Sequence, residues 1–360
     1  MKKEKDKKIN LQTEVNGVEL IKKYTHPEKY EEEKLLSSDK LKLKKTFKFI
    51  DLFAWVWWFH KALSELWWEC VFSSEIDTNA RKTYEMNYKK YNSKLFESWN
   101  FNENITLQDE KNIPDHDILC AWFPCQAFSI AGYQKWFEDQ RWTLFFDIVR
   151  ILKEKKTPII FLENVKNLAS HAEWETLRLM LKMLKEEWYF IHFKVMNSME
   201  YWNVPQNRER IYIVWFRDKT KFDKFSFPEK IELKTNLREI LENEVPEKYY
   251  YNWKPLYEKL KDNVNNFNRA YQWRRQYVRE NKSWVFPTLT ANMWTWWHNV
   301  PIILDKKWIR KITPREAFLI QWYPKDFILP NLADSHLYKQ AWNSVSMPVI
   351  KRVAEKILYV

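Results

Sequence analysis

The side chains best suited to forming and breaking bonds stand beside apolar, strand-like segments of this chain. Cys125 and Glu163 each follow such a segment, and Arg208 and Arg210 stand just before another, residues 211–214. Side chains alternate between the two faces of a strand, so the two arginines would share one face. A thiolate is a nucleophile, a carboxyl group exchanges protons, and arginines hold a polar ligand. The set predicts a reaction in which sulfur adds to a substrate held by an acid and two arginines.

Each of these side chains also has a purely structural interpretation. Cys125 would be a small buried hydrophobic residue, as Cys70 and Cys120 are expected to be, and Glu163 would cap a helix or lie on the surface. The two arginines would belong to a basic surface strand. The loop position of Cys125, directly after Pro124, favours the nucleophile.

Strand-like and helical segments alternate from about residue 47 to residue 219, and this alternation predicts where the side chains lie. We expect strands at 49–53, 70–73, 117–121, 159–162, 190–195 and 211–214. Helices are expected between them, near 142–154, near 174–187 and from the cap residue Asp77 to about Tyr88. The pattern indicates an α/β fold with a doubly wound, mainly parallel sheet and a second, smaller domain. Ligands of such sheets bind at the carboxyl ends of the strands, where these side chains fall.

The sequence pattern divides the chain into an extension and two domains. Residues 1–44 are highly charged and predict a solvated N-terminal extension. Residues 45–219 form the α/β domain, which the amphipathic segment 336–360 completes. Residues 220–335, rich in charged and aromatic side chains, form the smaller domain.

Charge and cysteine content limit the class of protein. The formal net charge of +12 favours a polyanionic partner. Three cysteines without paired spacing favour a reducing compartment, so a cytoplasmic protein is expected. No apolar run reaches the roughly 18 residues of a membrane span, and no Cys/His cluster has the spacing of a metal site. We therefore expect neither membrane contact nor a bound metal. A monomer is expected as well.

The motifs, taken in order, resemble those of one enzyme family. They are FPCQ around Cys125, ENV around Glu163, QNRER around Arg208 and Arg210, and Asn343-Ser344 near the end. In this order and spacing, over about residues 45 to 360, the chain resembles the DNA (cytosine-5)-methyltransferases. Within that family it is most similar to the short HhaI-like enzymes of restriction-modification systems.

The resemblance implies a reaction and a role for each motif. The methyl donor would be S-adenosyl-L-methionine, and the substrate would be a cytosine flipped out of a short specific site in double-stranded DNA. Cys125 would add to C6 of the ring, Glu163 would stabilise the protonated adduct, Arg210 would contact the base and Arg208 would support the loop. A cognate restriction endonuclease acting on the same site is the implied partner, and residues 220–335 become a target-recognition domain.

The resemblance also implies a cofactor pocket. Glu75, at the end of the second strand, would accept hydrogen bonds from both ribose hydroxyls. Asn104 replaces an aspartate of the family, which keeps an acceptor but loses the charge. The full set implied by the resemblance is Phe53, Trp55, Trp57, Glu75, Ile76, Asn104, Pro124, Leu144 and Asn343.

Residues suited to reading DNA lie in the smaller domain. Arginine pairs bidentately with guanine and glutamine with adenine, while other arginines bind phosphate. The sequence leaves open which residue does which. The candidates are Arg269, Gln272, Arg274, Arg275, Arg279, Thr288 and Thr290.

Glycine is scarce in this sequence and tryptophan is abundant. The chain has 2 Gly and 22 Trp in 360 residues, whereas a chain of this length usually has about 25 Gly. In the family, glycine stands where the backbone turns left-handed or approaches a ligand. Tryptophan occupies several of those positions here: Trp55, Trp57, Trp58, Trp122, Trp142 and Trp342.

These positions predict that most of the tryptophans are glycines in the natural protein. A genetic code in which UGA means glycine would produce this pattern when it is read as though UGA meant tryptophan. The alternative is a genuinely tryptophan-rich chain, which UGG codons at Trp55, Trp57 and Trp58 would establish. Trp273 is expected to be a true tryptophan, because relatives often carry one there.

Two other functions stay open at the level of sequence. One is an RNA cytosine methyltransferase of the same fold, and the other is a DNA-binding regulator without enzymatic activity. The long region between Arg208 and Thr313 favours duplex DNA as substrate over RNA. The complete set of catalytic residue types favours an enzyme over a regulator.

Overall fold

A seven-stranded sheet forms the centre of the chain. The computed structural model describes residues 46–56, 58–122, 143–169, 175–274, 276–281, 284–290 and 300–360. The strands of the sheet are β1 (Lys48–Leu52), β2 (Glu69–Ser74), β3 (Phe101–Asn102), β4 (Ile118–Trp122), β5 (Ile159–Val165), β6 (Phe190–Asn197) and β7 (Glu209–Phe216). Their order is β3-β2-β1-β4-β5-β7-β6, and every pairing is parallel except those of β7 with β5 and β6. This arrangement confirms the predicted α/β fold class.

Helices connect and follow these strands at the positions that the sequence predicts. The helix that begins at Thr78 is capped as expected, because the Asp77 side chain accepts hydrogen bonds from the backbone N–H groups of Asn79 and Ala80. No described helix is long and apolar enough to cross a membrane. The α-helices are α1 (Trp58–Ser64), α2 (Thr78–Tyr88), α3 (Ser93–Glu97), α4 (Thr143–Lys155), α5 (Glu175–Glu186), α6 (Ser198–Tyr201), α7 (Lys219–Lys224), α8 (Tyr257–Leu260), α9 (Pro314–Ile320), α10 (Asp334–Trp342) and α11 (Met347–Leu358).

Neighbouring residues of β5 pack on opposite faces of the sheet. Ile160 and Leu162 belong to a buried cluster that also contains side chains of α4 and α5. Phe161 instead contacts Phe59 of α1, with ring centroids 5.1 Å apart. Because both faces are covered, β5 begins as a continuous apolar run rather than an alternating one.

Helix α11 packs against α1, the first helix of the described residues. Nζ of Lys351 lies 2.8 Å from Oε2 of Glu65. The apolar face of α11 includes Val349, Val353 and Ile357, all buried. The final segment therefore packs against residues near the start of the described α/β fold, while the assignment of 336–360 to that domain stays a prediction.

The chain also forms a smaller, antiparallel sheet. Its strands are β8 (Ala270–Arg274), β9 (Tyr277–Glu280), β10 (Pro301–Leu304) and β11 (Ile309–Lys311). They run in the order β11-β10-β8-β9, and the core beside them contains Trp273 and Tyr271. Residues 47–360 belong to one compact unit, so the boundaries at 219 and 336 stay a prediction.

Most of the described non-glycine residues with a left-handed backbone conformation are tryptophans. Eight non-glycine residues of the described chain have positive φ, and six of them are tryptophan. A side chain in this conformation costs about 1–2 kcal/mol, a cost that glycine avoids. The six are Trp55, Trp67, Trp99, Trp188, Trp284 and Trp322.

Three of these tryptophans end helices in the manner of glycine. After α1, the N–H of Trp67 donates to Ser64 and that of Trp68 to Leu63, which is the Schellman pattern. The same pair of bonds recurs at Trp188 after α5 and at Trp322 after α9. Glycine is the usual residue at this position, which supports the prediction that these tryptophans replace it.

Other predicted glycine positions have ordinary backbone conformations. Trp58 lies in α1, Trp122 ends β4 and Trp342 ends α10. Trp57 and Trp142 lie outside the described residues. Backbone conformation therefore supports the glycine prediction at Trp55, while at Trp58, Trp122 and Trp342 the prediction depends on the family resemblance alone.

Candidate functional site

Three of the four predicted catalytic side chains, those of Glu163, Arg208 and Arg210, lie close together at one edge of the seven-stranded sheet. Because β7 runs antiparallel to β5, the beginning of β7 lies beside the end of β5. In this register Val165 faces Arg210 and Glu163 faces Tyr212. The edge meant here is the row of carboxyl ends of the parallel strands, not an outer strand. Sheets of α/β proteins bind their ligands at this edge.

Glu163 and Arg210 form a buried ion pair at this edge. Oε1 of Glu163 lies 3.2 Å from Nε of Arg210, and Glu163 has no solvent-exposed surface. Burial raises the pKa of Glu163 to about 7, although the charges of Arg210 and Arg208 act to lower it. The carboxyl group can therefore hold or release a proton near neutral pH.

Arg208 connects this pair to the Asn-Ser segment near the end of the chain. Its Nη2 donates to the backbone carbonyls of Ser344 and, at 3.3 Å, Trp342. Arg208 is almost fully buried, and so is Asn343, whose Oδ1 accepts no hydrogen bond from the described residues. The structure therefore brings the QNRER and Asn-Ser motifs together.

Several buried polar atoms of this cluster lack hydrogen-bond partners within the described part of the chain. They include both carboxyl oxygens of Glu163, Nε and Nη1 of Arg208, and Nε of Arg210, whose ion pair with Glu163 lacks hydrogen-bond geometry. Buried polar atoms in native proteins are nearly always paired. The unmet donors and acceptors indicate a site for a polar ligand.

The predicted nucleophile lies outside the described residues, and so does Pro124. Trp122, the last residue of β4, is paired with Glu163 in the sheet. Cys125 follows Trp122 by three residues in the sequence. Cys70 and Cys120, by contrast, are buried in strands, as the sequence predicts.

Glu75 lies at the same edge, just after β2. It is almost fully buried, and burial raises its pKa to about 7. Its Oε2 accepts a hydrogen bond from the N–H of Trp55 at 2.8 Å, and its Oε1 from that of Asp77 at 2.7 Å. Each oxygen keeps a second lone pair, so the carboxylate can still accept ribose hydroxyls.

The side chain of Trp55 is buried near Glu75, to which its backbone N–H donates. It is 6% exposed, its Nε1 donates to the carbonyl of Gln340 at 2.9 Å, and Nζ of Lys339 lies 5.3 Å from the ring. The ring therefore spans from the turn after β1 to α10. Glu75 suits a ribose, and we expect the bulk of an indole at position 55, where the family has glycine, to hinder the binding of a nucleoside.

The other predicted cofactor residues are spread along this edge. Phe53 and Leu144 are half-buried, and Ile76 is exposed. Oδ1 of Asn104 accepts a hydrogen bond from the N–H of Thr106 at 3.1 Å, and so caps the short helix that follows. Asn104 thus has a local structural role that the sequence did not predict. Trp57 lies outside the described residues.

The predicted DNA-reading residues gather mostly around a polar cavity of about 150 Å³. Gln272 and Arg279 are paired across β8 and β9. Arg269 lies apart, with its guanidinium 3.7 Å from the ring centre of Trp284 and its Nε 3.4 Å from Oε1 of Glu280. The cavity is lined by Asn207, Gln272, Arg274, Arg279, Asn281, Pro287, Thr288 and Thr290.

Three lining residues, Asn207, Asn281 and Pro287, were not predicted. Asn207 stands inside the QNRER motif, in which only Arg208 and Arg210 were assigned roles from the sequence. Its amide group and its place beside two arginines are the signals that could have identified it. Arg275, which was predicted, lies outside the described residues.

Comparison with known proteins places the whole described fold in one family. Residues 47–359 match the family model of C-5 cytosine-specific DNA methylases. The chain is 45% identical over 296 residues to the Type II methyltransferase M.Bsp6I of Bacillus sp. (strain RFL6), which covers 81% of this chain and 91% of that protein. It is 38% identical over 321 residues to M.HhaI of Haemophilus parahaemolyticus, covering 86% and 94%.

Solved structures share the fold at lower sequence identity. A DNMT2 mutant of Spodoptera frugiperda matches with a TM-score of 0.68 at 21% identity, covering 87% of this chain and all of that one. The methyltransferase EhMeth of Entamoeba histolytica matches with a TM-score of 0.69 at 18% identity. With a family match across most of its length, the chain belongs to the C-5 cytosine-specific DNA methylases and is a DNA (cytosine-5)-methyltransferase.

Proposed function

We propose that this enzyme methylates C5 of a cytosine flipped out of duplex DNA, through a covalent bond to Cys125. The observation that carries the proposal is the cluster of Glu163, Arg208 and Arg210 with unmet hydrogen-bonding atoms at the sheet edge. A cytosine presents N3, O2 and an exocyclic amine, which suit a protonated carboxyl group and arginine donors. The family and fold imply S-adenosyl-L-methionine as the methyl donor.

The chain's own residues would supply the following chemistry. The Cys125 thiolate adds to C6 while Glu163 gives a proton to N3, so the C5–C6 double bond opens and C5 becomes a nucleophile. S-adenosyl-L-methionine supplies an electrophilic methyl group when bound. After transfer, water takes the proton from C5, the electrons of that C–H bond form the C5–C6 double bond again, the sulfur leaves as a thiolate, and N3 returns its proton to Glu163. Arg210 holds the base and Arg208 anchors the loop.

Burial of Glu163 supports base flipping. The carboxyl group has no exposed surface, so a cytosine stacked within a duplex could not reach it. Enzymes that act on a base within a duplex rotate it out into a pocket. The polar cavity near β8 and β9 would then read the DNA around the flipped base.

The names of the relatives support a biological setting. Both relatives described above are called Type II methyltransferases. We propose that this enzyme protects DNA from a restriction endonuclease of the same specificity, acts as a cytoplasmic monomer, and uses residues 220–335 for target recognition. The net charge of +12 is consistent with a polyanionic substrate.

Bisulfite sequencing tests the proposal directly. DNA is taken from cells that express the chain with glycine restored at positions 55, 57, 58, 122, 142 and 342. We expect cytosines within one short sequence to resist conversion, and the additional change Cys125→Ser to abolish that resistance. Complete conversion of the DNA would contradict the proposal, and resistant cytosines in RNA alone would favour an RNA substrate.

A further inference from the structure

Two asparagines connect the arginine pair to the polar cavity. Nδ2 of Asn197, at the end of β6, donates to Oδ1 of Asn207 at 2.8 Å. Oδ1 of Asn197 accepts from the backbone N–H of Arg208 at 3.0 Å. One amide group therefore holds both Asn207 and Arg208 where the chain enters β7.

Asn207 is held from the opposite side by the segment 286–288. Its N–H donates to the carbonyl of Phe286 at 2.8 Å, and its carbonyl accepts from Oγ1 of Thr288 at 2.5 Å. Its side chain, which is half-buried, lines the cavity together with that of Thr288. Asn207 thus contacts the cavity on one side and the amide that holds Arg208 on the other.

We propose that Asn197 and Asn207 are positioning residues that couple occupation of the polar cavity by DNA to the placement of Arg208 and Arg210. The cavity is rich in donors, from Arg274 and Arg279 among others, and so suits an acceptor-rich group of duplex DNA. The proposal rests on the proposed function, because it takes DNA as the ligand. A DNA group that bonds to Asn207 would hold the asparagine pair, and with it the start of β7.

The arginine side chains have few anchors of their own. Within the described chain, the Arg208 side chain bonds to two backbone carbonyls, and Arg210 donates to the carbonyl of Glu209 at 2.8 Å and reaches Glu163 without hydrogen-bond geometry. The Asn197 amide adds a side-chain bond at Arg208 to the strand pairing that holds Arg210. A misplacement of about 1 Å at a reacting group can reduce a rate by about a hundredfold.

A double-mutant cycle tests the coupling in the glycine-restored chain. We expect Asn197→Ala and Asn207→Ala each to lower the single-turnover rate of DNA methylation by about tenfold to a hundredfold. The double variant should be no slower than the slower single variant, because both changes break one link. Asn197→Ala should leave the dissociation constant for DNA close to that of the parent. Additive rate losses, or a loss confined to DNA affinity, would overturn the proposal.

The titration of Glu163 gives a second readout, which needs no methylation. Among the described residues, the charged and titratable groups coupled to Glu163 are Arg208, Arg210 and Tyr212. The arginines lower its pKa, so their displacement should raise it. The pH dependence of the stability difference between Glu163→Gln and its parent reports this pKa. We expect Asn197→Ala to move the midpoint to higher pH, and an unmoved midpoint would count against the proposal.

Asn203→Ala is a matched control. Asn203 is a buried asparagine of the same loop, and its Oδ1 accepts from the N–H groups of Lys234 and Thr235 rather than from the arginine strand. The Asn203→Ala change should lower the free energy of unfolding, while the midpoint pH of the Glu163 titration stays at the value of the parent. An equal shift in both variants would assign Asn197 a merely structural role. If the restored parent methylates no DNA, the proposed function fails, while the titration still decides whether Asn197 positions the arginines.

Discussion

Two buried glutamates at the same sheet edge differ in how their oxygens are used. Glu163, at the end of β5, has both oxygens without a hydrogen bond from the described residues, whereas Glu75, after β2, uses both on backbone N–H groups. The Glu163 carboxyl group thus keeps its hydrogen-bonding capacity for a polar ligand. The Glu75 carboxyl group is already bonded to the backbone, and the buried side chain of Trp55 begins beside it.

The contrast teaches where a sequence tolerates the exchange of glycine for tryptophan. Glu163 and Arg210 lie on regular strands and Arg208 directly precedes one, so their placement does not depend on a left-handed turn. The part of the site around Glu75 depends on a turn with left-handed backbone, at Phe53 and Trp55. Glycine at such a turn lets the backbone approach a ligand closely, and a large side chain at the same position prevents that approach.

The largest expected effect is on cofactor binding. Replacing Trp55, Trp57 and Trp58 with glycine should convert a chain without measurable affinity for S-adenosyl-L-methionine into one that binds it. Removing the Trp55 indole takes away bulk near Glu75 and restores the tight turn. Calorimetric titration of both chains measures the change. As a control, Trp273→Gly, in the core of the smaller sheet, should restore nothing. Tight binding by the unaltered chain would contradict both the glycine hypothesis and the proposed difference between the surroundings of Glu163 and Glu75.

The next effect concerns Glu163 and the arginines beside it. Glu163→Gln in the glycine-restored chain should lower the methylation rate by about 10²–10⁴-fold, because an amide cannot give a proton to N3. DNA affinity should change little, since other residues contact the duplex. Rapid-quench methylation assays supply the rate, with Glu154→Gln, an exposed change in α4, as the control. An undiminished rate would remove Glu163 from the mechanism.

The pH dependence of stability should separate Glu163 from ordinary carboxylates. Its pKa is raised from 4.5 to about 7 by burial, so the folded chain binds more protons than the unfolded chain between these values. The free energy of unfolding that this group contributes is present at low pH and is lost as pH rises through about 7, by roughly 3 kcal/mol. Urea unfolding of Glu163→Gln should therefore show a smaller loss across that window than the parent. Equal losses would argue against the raised pKa, and Glu69→Gln, on the exposed end of β2, should behave as the parent does.

The smallest effect tests the glycine hypothesis away from the site. Trp67→Gly, Trp188→Gly and Trp322→Gly should each raise the free energy of unfolding by about 1 kcal/mol, because each removes a side chain from a left-handed position. Thermal unfolding measures the gain. Trp253 is a suitable comparison, since it is exposed but lacks positive φ, and its change to glycine should bring no gain. Equal responses at all four positions would remove the link to backbone conformation.

Much of the fold followed from local patterns in the sequence. Apolar runs predicted β1, β2, β4 and β5, and the Asp77 cap predicted where α2 begins. The convergence of the glutamate and arginine motifs followed from the rule that ligands bind at strand ends. These features depend on neighbours in the chain, which is why sequence alone could predict them.

The rest depends on pairings between distant residues. No local pattern indicates that β7 inserts antiparallel between β5 and β6, or that Asn197 bonds to Asn207. Asn104 was predicted from its place in a motif, yet its oxygen caps the following helix, a local bond that competes with ligand contacts. Helix ends at Trp67 and Trp188 were hidden, because the residue that normally marks them is missing from the sequence.

The contact between α11 and α1 has a consequence for the order in which the molecule assembles during synthesis. Helix α1 begins at Trp58, but the helix that packs against it ends only at Leu358. The apolar surface that α11 covers therefore stays uncovered during synthesis until residue 358 has emerged. Contacts between such distant segments slow folding, because a long loop must close first. A fragment that lacks α11 would leave this apolar surface uncovered and prone to aggregation.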